Sequence, residues 1–266
     1  MYDIKTMHLF AGHGGGLLAD LILGHTPVVA VEWDRYACQV LRERAADGWF
    51  PGLQVWEGDV RLFDPSEYTG IVDVIHAGFP CQDISVAGKQ AGVGPETRSG
   101  LYREVLRIAG VLRPRQLFLE NVSAIVNNGL GTVLADLAAL GYDSQWLCLR
   151  ASDCGATHHR DRWWLLGNSN NDKQSANAFN DETQGLQELG CSNAANSNGS
   201  RQEERSLPIR VQQKHARHSG SSWWDTIPNV PRVANGLAHQ SHRLKGIGNG
   251  QVPLQAATAY RLLAGY

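Results

Sequence analysis

The 266-residue chain contains no apolar run near 18 residues, so nothing in it reads as a membrane-spanning helix. Cysteine is sparse and unpatterned. The five present (Cys38, Cys81, Cys148, Cys154 and Cys191) form no CxxC pair and no even framework, which predicts reduced thiols. The opening MYDIKTMHLF lacks the features of a signal peptide, so a soluble, cytoplasmic protein is expected. Histidines cluster at His158–His159, at HARH (215–218) and at HQSH (239–242), yet no cysteine or carboxylate completes a ligand set at useful spacing; no metal is expected. A strong net charge is missing too, the formal value being −2.

That small value conceals an uneven distribution. Residues 1–100 carry 7 Lys/Arg against 13 Asp/Glu, whereas residues 201–266 carry 9 against 3. A basic C-terminal part suits a polyanion such as nucleic acid, although ordinary surface charge would look the same. In the first half, short apolar runs alternate with amphipathic ones. KTMHLF, PVVAVEW, LQVWEGDV, IVDVIHAGF, QLFLENV, SQWLCLRA and RWWLLG read as strands; RYACQVLRERAA, SGLYREVLRIAGVL and GTVLADLAAL read as helices. The alternation predicts an α/β fold, a mostly parallel sheet with helices on both faces. After Gly167 the texture shifts to an Asn/Ser/Gln-rich stretch with little to bury, either a linker or a loop-built recognition element. LQAATAYRLLAGY closes the chain as a helix able to dock back on the sheet.

Ligands of such sheets lie beyond the carboxyl ends of the strands. The first strand runs into AGHGGG (11–16), and Glu32 ends the second about 20 residues later. Gly12 and Gly14 match G-x-G, but the third position of the dinucleotide fingerprint is Leu17, so nicotinamide or flavin, S-adenosylmethionine and a structural turn all stay open. Trp33 could stack on an adenine or pack in the core; Asp59 could accept from an adenine amino group or cap a helix. Cys81 and Glu120, at neighbouring strand ends, make a thiolate nucleophile with a carboxyl able to protonate a substrate. Asn121 follows Glu120, and Arg160 and Arg162 are expected on one face of a strand, able to hold a phosphate or a base carbonyl.

FAGHGG, VEWD, GDV, GFPCQDIS, SGLYRE, ENV, RDR and GNGQVP occur in this order over about residues 8–167 and 243–260. PCQ alone would be weak; the ordered set resembles the C5-cytosine DNA methyltransferases of the small, Dcm-like phage or bacterial type, some of them from restriction-modification systems. The resemblance implies a Rossmann-like, S-adenosylmethionine-dependent methyltransferase fold. Residues 1–167 and 236–266 would form the catalytic domain and 168–235 a small, loop-rich target-recognition region.

It further implies that Cys81 attacks C6 of a cytosine flipped out of the stack, that Glu120 hydrogen-bonds or protonates N3, and that Arg162 with Arg160 holds the base carbonyl or orients Glu120. S-adenosylmethionine, leaving as S-adenosylhomocysteine, would be held by Phe10, Gly12, Gly14, Glu32, Trp33, Asp59, Pro80, Leu101 and Asn249. Ser85 and Lys89 in a mobile QDISVAGKQAG loop, and Arg210 and Lys214 in the basic segment, are the residues expected to touch double-stranded DNA. A monomer is expected. His8 stands where the family has an acid, His158 where it has glutamine and Gly250 where serine is common. Competing readings are an RNA C5-cytosine methyltransferase, an NAD-dependent oxidoreductase, which leaves Cys81, Glu120 and RDR unexplained, and a DNA-binding module whose catalysis has lapsed.

Overall fold

Short apolar stretches ending in glycine or a capping carboxylate fix the elements of this chain. The computed structural model describes residues 3–80, 100–170 and 250–265. In chain order these are β1 (Lys5–Leu9), α1 (Gly15–Leu23), β2 (Thr26–Glu32), α2 (Arg35–Ala46), β3 (Gln54–Glu57), β4 (Val74–Gly78), α3 (Gly100–Leu112), β5 (Gln116–Val122), α4 (Ile125–Asn128), α5 (Leu130–Ala139), β6 (Tyr142–Arg150), β7 (Asp161–Ser169) and α6 (Pro253–Ala264). Asp34 starts α2 by accepting from Tyr36 N and Ala37 N at 2.9 and 3.2 Å, and Pro253 at the start of α6 loses no helical hydrogen bond there. GGLLADLIL, absent from the helices expected on sequence, forms α1: glycine hides its propensity, and left-handed Gly14 and Gly24 bound it at either end.

The seven strands run in the order β3-β2-β1-β4-β5-β7-β6. Pairings are parallel from β3 to β5, and β7 lies antiparallel between β5 and β6, so the sheet is mostly parallel as expected. Strand β7 continues through Ser169, two residues past the change of texture at Gly167. Alternation of side chains then separates two faces. Met7, Leu9, Val31, Ile75, Leu119 and Leu165 lie on one, beneath Val105 and Ile108 of α3 and Val133 and Leu137 of α5. On the other, Val74, Phe118, Trp164 and Leu166 pack against Ala19 of α1 and Ala256, Tyr260 and Leu263 of α6. Phe118 stacks on Trp164 at 5.2 Å between centroids and meets Tyr260 edge-on at 5.3 Å.

The C-terminal helix does return to the sheet. Buried Gln255 donates from Nε2 to Leu149 O (2.8 Å) and Arg160 O (2.9 Å), and Tyr260 Oη donates to Gln116 Oε1 at 2.5 Å. Arg261 Nη2 reaches Ile22 O of α1 at 3.0 Å. Cys38 and Cys154, both described, are free thiols. No helix among the described residues is long and apolar enough to cross a membrane.

Truncating the aromatic cluster by Phe118→Ala is expected to cost about 3–5 kcal/mol of stability, and removing the α2 cap by Asp34→Ala about 1 kcal/mol. Urea denaturation of the two variants measures both.

Candidate active site

Register brings the reactive strand ends together. Strands β4 and β5 pair with Gly78 opposite Glu120. Beyond Gly78 the chain enters Phe79 and Pro80, where buried Asn121 donates from Nδ2 to Phe79 O at 3.1 Å while its Oδ1 accepts from Val122 N at 2.8 Å. The segment leading to residue 81 is thereby fixed next to Glu120. Cys81 itself lies outside the described residues, as do Ser85, Lys89, Arg210, Lys214 and Asn249.

Glu120 is held from two sides. Arg162 Nε lies 3.0 Å from its Oε1, with the two side chains 19% and 12% exposed, and Gln251 Nε2 donates to its Oε2 at 3.4 Å. Burial pushes the carboxyl above the usual glutamate range, and the charges of Arg162 and Arg160 together with the Gln251 hydrogen bond offset this only in part. Arg160 is not on the strand that carries Arg162. It precedes β7 with a left-handed φ of 36°, its carbonyl accepts from Gln255, and its Nη2 donates to Gly250 O at 2.5 Å. The strand-face expectation fails because these contacts turn the backbone at Arg160, yet both guanidiniums still act on Glu120. Burial first, then repulsion from Arg162, lowers the Arg160 pKa. A buried carboxyl with raised proton affinity beside two cations can give a proton to a neutral base and stabilise charge that develops on it.

At the ends of β1, β2 and β3 the arrangement is more open. Phe10 turns the chain with a φ of 59°, and a Cβ placed on Gly12 would meet nothing within 4 Å. Glu32 organises this corner by accepting from Gly12 N (2.7 Å), Trp33 N (2.9 Å) and Asp34 N (2.8 Å). The Trp33 side chain is 69% exposed rather than packed in the core. Asp59 caps the turn at Val60–Leu62 and pairs with Arg61, whose Nε donates to its Oδ2 at 2.8 Å. Pro80 is exposed, and Leu101 begins α3 packed on the core. Gly14 serves the turn: a Cβ there would lie 2.9 Å from Leu41 Cδ2. An uncovered indole beside open glycine backbone and two carboxylates fits an adenosine-bearing cofactor.

Beneath this corner lies a buried polar cluster that sequence reasoning missed. His8 Nε2 is 2.6 Å from Asp20 Oδ2, Thr6 Oγ1 donates to the same oxygen, and the His8 and His76 rings stand 4.7 Å apart. Burial would raise the Asp20 pKa, but His8 and its hydrogen bond bring it below the ordinary value. Burial, with the His8 charge, lowers His76 to about 3, so His76 is neutral. Ligand atoms of His8, Asp20 and His76 all lie within 4.8 Å of one another. The 2.6 Å separation is nevertheless that of a hydrogen-bonded pair; tetrahedral ligands about 2.05 Å from zinc stand about 3.3 Å apart. Thr6 and His8 alternating with Met7 and Leu9 were the available signal. Among the positions that depart from the resemblance, His8 is buried here, His158 is exposed and Gly250 accepts from Arg160.

The family model for C-5 cytosine-specific DNA methylases matches residues 4–257. The Type II methyltransferase M.NgoBI of Neisseria gonorrhoeae is 35% identical over 171 residues, 63% of this chain and 51% of that protein. M.CviJI of Paramecium bursaria Chlorella virus IL3A is 35% identical over 166 residues, 62% of this chain and 43% of its own. The chain thus spans about half the length of the curated relatives it matches. A solved structure described as a DNA modification methyltransferase encoded within an E. coli prophage superposes with a TM-score of 0.50 at 26% identity, covering 64% of this chain and 48% of the other.

A glutamate raised above its ordinary value of 4.5 contributes stability that is full below that pH and is lost as pH rises through the folded pKa. Glu120→Gln removes this dependence. Its melting temperature is expected to gain on the parent's as pH rises above 4.5; an unchanged gap in calorimetry would contradict the assignment.

Proposed function

Because this chain belongs to the C-5 cytosine-specific DNA methylase family, we propose that it is a DNA (cytosine-5-)-methyltransferase, transferring a methyl group from S-adenosylmethionine to C5 of a cytosine flipped out of double-stranded DNA. The observation that carries this is Glu120, buried between Arg162 and Gln251, with the Phe79–Pro80 approach to Cys81 pinned beside it by Asn121. A thiolate adding at C6 turns an electron-poor ring into an enamine whose C5 is nucleophilic. Glu120 would protonate or hydrogen-bond N3 as that charge develops, a task suited to its raised pKa. Arg162 would orient Glu120 and, with Arg160, hold the base carbonyl or a nearby phosphate.

S-adenosylmethionine supplies, when bound, an electrophilic methyl group on a sulfonium. Trp33 would stack on its adenine, Glu32 and Asp59 would accept from its hydroxyl and amino groups, and Gly12 would let its chain approach the backbone, with Phe10, Gly14, Pro80, Leu101 and Asn249 completing the wall. No metal is needed for this chemistry. Residues 1–167 and 236–266 would form the catalytic domain and 168–235 the target-recognition region, where Arg210 and Lys214 meet phosphates. Ser85 and Lys89 would touch the DNA from the loop after Cys81, and the enzyme would act as a cytoplasmic monomer.

Duplex DNA carrying 5-fluorocytosine in the target sequence, incubated with S-adenosylmethionine, is expected to trap a covalent adduct on denaturing gels, because fluorine at C5 cannot leave as a proton does. Cys81→Ala should form none and should lose methylation of ordinary DNA; retained activity in that variant would refute the nucleophile. Transfer RNA offered in parallel separates the RNA reading. Neutralising Arg210 and Lys214 together is expected to flatten the salt dependence of DNA binding.

A further inference from the structure

Gln251, a residue of GNGQVP with no expected role, lines the site together with Glu120. Gln251 precedes α6, and its backbone lies so close to Gly15 that a Cβ there would come within 2.3 Å of Gln251 O. Its side chain passes over two more glycines. A Cβ on Gly16 would lie 2.8 Å from Gln251 Oε1 and 3.0 Å from both His8 Nδ1 and His76 Cε1. A Cβ on Gly78 would lie 2.9 Å from Gln251 Nε2 and 2.8 Å from Glu120 Oε2. The amide therefore has its oxygen end among the imidazoles and its nitrogen end against the carboxyl.

We propose that Gln251 is the positioning residue of Glu120: its amide, confined over Gly16 and Gly78 and walled by His8 and His76, presents Nε2 to Oε2 while Arg162 holds Oε1. The inference rests on the reading of Glu120 as the group that meets the cytosine. With one donor on each oxygen the carboxyl keeps a single orientation, and the amide favours its ionised form against burial. Among the described residues the charged groups facing Glu120 are Arg162 and Arg160, with His76 and the His8–Asp20 pair behind Gln251. His76 is neutral and so adds no cation behind the amide.

The test follows Glu120 directly. With glutamate 13C-labelled at the carboxyl and the Glu120 resonance assigned by its loss in Glu120→Gln, the parent and two variants are titrated by NMR. Gln251→Met keeps the volume and removes the donor; its Glu120 midpoint is expected to rise by about half a pH unit or more, the worth of one hydrogen bond. Gln251→Glu sets a second carboxyl against the first, and its midpoint is expected to rise further. A Glu120 midpoint equal to the parent's in both variants overturns the proposal, since a side chain that merely fills space would not move it. The titration needs neither cytosine nor cofactor, so a parent that fails to methylate DNA would defeat the methyltransferase reading while leaving this readout intact. In an active parent, the Glu120 limb of the single-turnover pH profile should shift with the NMR midpoint.

Discussion

A carboxyl taken out of water has to be met by donors or it protonates, and the burial of Glu120 sets that requirement for everything near it. Its two oxygens are answered from different parts of the chain, Oε1 by Arg162 of β7 and Oε2 by Gln251 from the segment that leads into α6. For both to arrive, β7 has to insert beside β5 in the antiparallel sense, and the C-terminal helix has to come back onto the sheet. Gly78 has to remain a glycine, because the carboxyl and the amide meet where its Cβ would be. The donors reduce the effect of burial without abolishing it, which leaves the group with proton affinity to use.

The sheet divides labour between its faces. One is apolar along β1, β2, β4, β5 and β7 and supplies the main core under α3 and α5. The other surrenders part of its area to Thr6, His8, His76, Glu120 and Arg162, and its packing is concentrated in the Phe118, Trp164 and Tyr260 cluster under α6. Of the three described non-glycine residues with a left-handed φ, two lie near the site, while Arg113 follows α3. Phe10 and Arg160 both adopt left-handed conformations that cost a non-glycine residue about 1–3 kcal/mol. Neighbouring hydrogen bonds, from Ala11 N to Val31 O and from Gln255 Nε2 to Arg160 O, hold them there.

Much of this was readable along the chain and some was not. QLFLENV and RYACQVLRERAA coincide with β5 and α2, because a buried central strand and a capped amphipathic helix each state their period locally. GGLLADLIL did not announce α1, since glycine weakens the local signal that tertiary packing later overrides. Glu120 and Arg162 were legible as a pair of strand-end groups, but Arg160 lay one residue outside the strand that was to present it. Cys81, on which the proposed chemistry turns, lies outside the described residues.

The sequence by itself determined where most of the strands and helices fall, α1 excepted, and which ordered motifs the chain carries. These are properties of period and spacing, and neighbouring residues are enough to express them. Only the tertiary structure decided who meets whom. Alternation assigns Glu120 to a face without saying that Gln251, 131 residues later, will lie against it, and it makes His8 inward without saying that His76 and Asp20 will be its neighbours. Strand order and the return of α6 are set by the free energy of burying whole faces at once, a quantity that no short window of sequence contains.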